Sequence, residues 1–93
     1  MANIQSAKKR IRQSERRQAR NRRYIASART YVKKARQQIE AGEFDEAELT
    51  VRHACSILDK AARKHVIHPR NASRRKGRLM AALAAARAAQ ASE

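Results

Sequence analysis

A chain of 93 residues with 23 Lys or Arg, 8 Asp or Glu and a net charge of +15 makes one domain, over 1–93, whose core buries only roughly 60% of the unfolded chain's surface. Its one cysteine, Cys55, excludes an internal disulfide and gives no zinc-finger pattern. The longest uninterrupted apolar run, Leu79 to Ala86, is too short to span a bilayer.

Few aromatic or β-branched residues, many Ala, Arg, Gln, Glu and Lys, and no sustained period-two alternation predict an all-α protein. With no secretory segment near the N-terminus, a soluble, reducing compartment is expected. In heptads from Ile4, the first seam reads Ile4, Ala7, Ile11, Ser14, Gln18, Asn21, Ile25, Ala28, Val32, Ala35 and Ile39. The spacing holds throughout, but apolar character fails at Ser14, Gln18 and Asn21 and resumes at Ile25. A first helix over about 4–41 is therefore expected to pack only through its C-terminal half. Gly42 ends it in a position that favours a left-handed residue.

The N-terminal half of that helix is basic. Between Lys8 and Arg23 stand nine cations, Lys8, Lys9, Arg10, Arg12, Arg16, Arg17, Arg20, Arg22 and Arg23, against one acid, Glu15. Charge of a single sign cannot pair with itself along a helix. Such a rod needs a polyanion to neutralise it.

A second helix is expected over 45–64. Asp45 is read as its N-cap, with Glu48 three residues on as a capping box and Phe44 and Leu49 at the staple positions. Its buried face runs through Ala47, Val51, Ala54, Leu58 and Ala61. His65 to His68 form a turn into Pro69, which suits the first turn of a third helix over 69–88. That helix buries Ala72, Leu79, Leu83 and Ala86, and Gly77 weakens it by up to about 1 kcal/mol relative to Ala.

At 1.5 Å per residue the first helix is roughly 55 Å long and the others roughly 30 Å each. A compact domain of this size has a radius of gyration of about 12 Å. The three-helix bundle must therefore carry residues 1–23 as a projecting basic arm. Short connections make the helices antiparallel neighbours. Lys60, Arg63 and Lys64 at the end of helix two, and Arg70, Arg74, Arg75, Lys76 and Arg78 early in helix three, then lie beside Arg20, Arg22, Arg23 and Arg29. The helix-two cations suit the helix dipole as they stand. Those at the start of helix three oppose it, and phosphates there would reverse the penalty. Five of the eight acids (Glu40, Glu43, Asp45, Glu46 and Glu48) gather at the opposite tip, away from any polyanion.

Other residues read as structure. Tyr24 and Tyr31 are placed as packing residues beside the seam, and Cys55 as a small buried hydrophobe. His53, His65 and His68 lack a metal-ligand set. No nucleophile–base pair or phosphate-cradling glycine loop is present, so no enzyme, cofactor or small-molecule substrate is expected. A zipper-type DNA binder fails because Ile25 to Ile39 supplies only about two heptads with Ala at alternate positions. A membrane-surface helix fails on the polar interruptions of the seam. Neither a membrane partner nor a homo-oligomer is expected. Charge alone leaves folded RNA and duplex DNA both open, the latter as a nucleoid-type basic protein.

The opening MANIQSAKKRIRQSERRQARNRR and the later SILDKAARKHVIHPRNASRRKGRL resemble the bacterial small-subunit ribosomal protein family S20. The likeness runs from Ala2 to Leu79, by pattern more than identity between Tyr24 and Cys55. Gly77 stands where the family's K-S-R-L run usually has Ser. The resemblance implies a three-helix bundle that binds 16S rRNA directly in the cytoplasmic ribosome. It implies contact with the 5′ domain and the penultimate stem during small-subunit assembly. Carried over, Lys8, Lys9, Arg10, Arg12, Arg16, Arg17, Arg20 and Arg23 of the first block would meet phosphates. Lys60, Lys64, Arg74, Arg75, Lys76 and Arg78 of the second would do likewise.

Overall fold

Three helices and two tight turns account for the chain in the computed structural model, which describes residues 2–92, with side chains from Ile4 onward. Met1 and Glu93, the outermost residues of the expected domain, lie outside the described residues. Helix α1 is Ala2–Glu40, α2 is Phe44–Arg63 and α3 is Pro69–Ala91. The protein is all-α, with no strand among the described residues.

Both turns close by the same hydrogen-bond pattern. After α1, Glu43 N–H donates to the Gln38 carbonyl at 3.0 Å and Gly42 N–H to Ile39 at 3.2 Å. Gly42 takes the left-handed conformation this requires, at φ 79°. After α2, Val66 N–H donates to Ala61 at 2.8 Å and His65 N–H to Ala62 at 3.1 Å. Here a histidine, His65, occupies the left-handed position at φ 59°, where a Cβ crowds the following carbonyl.

The capping box at Asp45 does not form. The Gly42 turn is tight enough that α2 begins at Phe44, with Glu43 at the N-cap position and no side-chain cap bond. Asp45 therefore sits inside the first turn. Glu48 is turned to Arg52 and Arg87 at 3.0 and 3.1 Å instead of back to the backbone. The staple is absent as well: Phe44 packs against the core, while Leu49 is 67% exposed.

Two clusters make the core. Ala35, Ala47, Val51, Ala54, Leu79 and Leu83 form one, with Tyr31, Val32, Ile39, Phe44 and Cys55 packed on it. Ala28, Leu58 and Ala72 form the other. Leu58 and Leu79 are the largest fully buried side chains, each contributing about 1.5–3 kcal/mol of burial. The alanines on α1 and α2 let the helix axes approach closely. Cys55 and Ala86 are half-buried, not fully so; burial and Asp59 raise the Cys55 thiol pKa while Lys76 lowers it, burial dominating.

The seam engages from Asn21 onward. Every residue from Ile4 to Arg20 is exposed, including Ile4 at 56% and Ile11 at 58%. Asn21 is the first half-buried residue of α1, and its Oδ1 is buried without a hydrogen-bond partner, as is Gln38 Oε1. The molecule measures 73 × 21 × 13 Å, with a radius of gyration of 18.3 Å. That elongation follows from 39 helical residues in α1 against 20 and 23 in its partners.

Candidate nucleic-acid interface

Thirteen of the chain's cations lie on α1, whose acids are Glu15 and Glu40 alone. At about 100° of rotation per residue, Lys8, Lys9, Arg10, Arg12, Arg16 and Arg17 spread over roughly 200° of the rod, and the remaining face carries the seam residues Ile4, Ala7, Ile11, Ser14 and Gln18. The N-terminal segment therefore presents charge over a little more than half of its circumference and an uncharged seam on the rest. Four ion pairs occur among the described residues: Arg52–Glu48, Lys76–Asp59, Arg87–Asp45 and Arg87–Glu48. All lie within α2 or between α2 and α3. No α1 cation among the described residues takes part in one.

The bundle brings two groups of cations together, one on each flank of α1. On the α2 flank, Tyr24 lies between Arg20 and Arg23 of its own helix and Lys60, Arg63 and Lys64 of α2. Arg20 also donates to the Lys64 carbonyl at 3.4 Å, so it covers one of the free carbonyls that end α2. On the α3 flank, Arg75 and Arg78 face Arg29, Lys33 and Arg36 across an open cleft of about 480 Å³. Lys8 to Arg17 join neither group. Arg22 stands on the outer surface of α1, exposed like Arg70 and Arg74 at the start of α3.

The start of α3 is more self-contained than its sequence implies. His68 caps it, with Nδ1 accepting from Arg70 N–H at 3.1 Å. The His68 carbonyl accepts from Asn71 and Ala72 N–H at 2.9 and 3.1 Å. Pro69 has no N–H to offer. The backbone donors of this terminus are thus occupied, and any anion held here is held by side chains and the dipole field. Arg74 and Arg75 are steadied by Asn71 Oδ1 at 3.5 and 3.0 Å.

Lys76 differs from the cations grouped with it. It is the one half-buried member of the second block, and its ammonium binds Asp59 at 2.8 Å. That hydrogen bond raises its pKa, against the opposing effect of burial. Its charge is committed within the fold because its position on α3 turns it toward α2, whereas Arg75 and Arg78 turn toward α1.

Sequence reading underweights Arg29, Lys33 and Arg36. Their signal was available: spacing of i, i+4 and i+7 puts them on one side of the Ala28–Val32–Ala35 seam. Tyr31 behaves as a packing residue, lying on the core and meeting the His53 ring edge-on at 4.2 Å between centroids. Among the described residues no group of His, Cys, Asp or Glu is placed to hold a metal, and no helix is long and apolar enough to cross a membrane.

Compared with known protein families, residues 2–84 match the model for Ribosomal protein S20. A "Small ribosomal subunit protein bS20" of Roseiflexus is 51% identical over 89 residues, covering 96% of this chain and 97% of that one. The protein of the same name from Thermomicrobium roseum is 48% identical over 80 residues, covering 86% and 81%. That of Mycolicibacterium smegmatis is 45% identical over 83 residues, covering 89% and 96%.

Proposed function

The chain belongs to the ribosomal protein S20 family, and from that premise we propose that it binds 16S rRNA directly and stabilises its folding and assembly in the small subunit. As a ribosomal protein it is a structural component, not an enzyme, and its place is the cytoplasmic ribosome. The observation that carries the RNA reading is the set of exposed α1 cations without ion-pair partners, from Lys8 to Arg23. Lys60, Lys64, Arg70, Arg74, Arg75 and Arg78 extend that surface over the bundle, and Lys76 joins it only by giving up Asp59.

The mechanism is scaffolding. Cations relieve phosphate repulsion where RNA helices pack closely, and a helical rod holds the relative placement of what it touches. Charge over more than half of the N-terminal segment's circumference allows RNA to approach from more than one direction, consistent with joining the 5′ domain to the penultimate stem. Contacts are expected mainly to phosphate and ribose, reading A-form shape more than base edges. The acids near Glu43 lie at the far end of α2 from the Lys60–Lys64 group, which keeps like charge away from the phosphates.

Filter binding of the whole protein to 16S rRNA tests this. With roughly six to ten phosphates contacted, affinity falls about 10³–10⁵-fold between 50 and 200 mM salt. A nearly flat response would overturn the electrostatic mechanism. Equal affinity for unrelated duplex DNA at the same salt would favour a nucleoid-type protein instead.

A further inference from the structure

The cleft between α1 and α3 differs from the other basic surfaces in having two facing walls. Arg29, Lys33 and Arg36 line one, Arg75 and Arg78 the other, with Val32 also lining it and Glu40 the single acid there. None of these five cations makes an ion pair among the described residues. Two reversals of the chain make α1 and α3 run parallel, so the walls form two rows of charge that run the same way. Between Arg29 and Arg36 the α1 row extends about 10 Å, long enough to meet neighbouring phosphates of one strand. Arg75 and Arg78 border the cleft from α3, while Leu79 and Leu83 of the same helix turn into the core beside Ala35. In the free protein the facing rows repel each other, and only an elongated anion between them relieves both at once.

We propose that this cleft seats one sugar–phosphate strand of RNA, separate from the RNA met by the N-terminal segment of α1. The protein then acts as a two-site clamp. One RNA segment lies along the rod before Arg23 and another between α1 and α3, and α1 fixes the distance between them. This rests on the RNA-binding reading above and adds to it a second site with its own residues. Val32 offers its methyl groups to ribose, while the guanidinium groups of Arg36 and Arg78 suit paired hydrogen bonds to phosphate oxygens.

The test uses three full-length variants with 16S rRNA. One neutralises the α1 wall (Arg29→Gln, Lys33→Gln, Arg36→Gln) and one the α3 wall (Arg75→Gln, Arg78→Gln). The third neutralises the rod (Arg12→Gln, Arg16→Gln, Arg17→Gln). Between 50 and 200 mM salt, the fall in affinity should shrink by about 20- to 40-fold for the α1 wall and about tenfold for the α3 wall. In hydroxyl-radical footprints the two wall variants should expose the same nucleotides, and the rod variant a different set. Thermal melts of both wall variants should stay at or above wild type, since exposed like charges are being removed.

If the wall variants expose different nucleotides, or the same ones as the rod variant, the clamp is overturned. Unchanged binding by the wall variants with a weakened rod variant also overturns it, while leaving the RNA function standing. Unchanged binding by all three removes the RNA function itself. An acidic protein segment in the cleft would leave RNA footprints untouched but lower retention in salt-washed subunits, which equally overturns the proposal.

Discussion

The two halves of α1 share one heptad phase and one helical backbone, yet only one half is held by other parts of the protein. Ala28 packs with Leu58 and Ala72, and from Tyr31 to Ile39 the seam rests on Ala47, Val51, Ala54 and Leu79. From Ile4 to Arg20 nothing is buried, although Ile4 and Ile11 stand at equivalent positions. An apolar seam position is therefore not enough; a partner helix must be long enough to reach it. With 20 and 23 residues, α2 and α3 extend only about 30–35 Å. The unsupported half is also the more self-repelling, with like charges four apart at Lys8, Arg12, Arg16 and Arg20.

Amide exchange in the free protein should show the largest contrast. Ala54 to Ala61 exchange only when the bundle opens, whereas Lys8 to Ala19 lack tertiary support and a lone basic helix of that length is marginal. Protection in the bundle should exceed that in the N-terminal segment by on the order of 10³-fold, for a domain at the low end of ordinary stability. Adding 16S rRNA should slow exchange at Lys8–Arg20 far more than at Ala54–Ala61. Equal protection before RNA is added would show that the rod is self-supporting.

Truncating one apolar side chain in the bundle and one in the N-terminal half of α1 sharpens the same comparison. Leu79→Ala removes a fully buried group and should cost about 2–5 kcal/mol, enough to unfold much of so small a protein at 37 °C. Ile11→Ala, at an exposed position, should stay within about 0.5 kcal/mol. Thermal melts followed by circular dichroism measure both. A large loss from Ile11→Ala would mean the N-terminal segment packs against something in the free state.

This contrast also explains what the sequence could and could not convey. Ser14, Gln18 and Asn21 in the seam were enough to locate where burial stops. The core of α2 was readable because its apolar residues recur at helical spacing, Ala47 through Ala61. Lys76 was not readable as an ion-paired residue: its neighbours Arg75 and Arg78 look equivalent in a basic run, and only the α2–α3 contact with Asp59 separates them. Capping was misjudged at the start of α2, because Asp45 is a better cap by type than Glu43. The Gly42 turn, not side-chain chemistry, decided where the helix begins. At α3 the cap fell to His68, a residue type with no strong capping preference.

The turns at the two ends of α2 give the smallest and most local test. They share one hydrogen-bond pattern and differ in the residue at the left-handed position, Gly42 in one and His65 in the other. A Cβ in that conformation costs about 1–2 kcal/mol, partly offset by the greater freedom glycine has in the unfolded chain. His65→Gly should therefore stabilise the protein by about 0.5–1 kcal/mol and Gly42→Ala should destabilise it by about 1 kcal/mol, shifts of a few degrees in melting temperature. Space is not the issue at Gly42, where an added Cβ would meet nothing within 4 Å; the backbone angle alone sets the sign. Both changes act on the bundle, so both should leave exchange rates at Lys8–Arg20 unaltered. A lower melting temperature for His65→Gly would show that the exposed imidazole contributes more than its backbone strain costs, tying the basic end of α2 to contacts that Gly42 does not make at the other end.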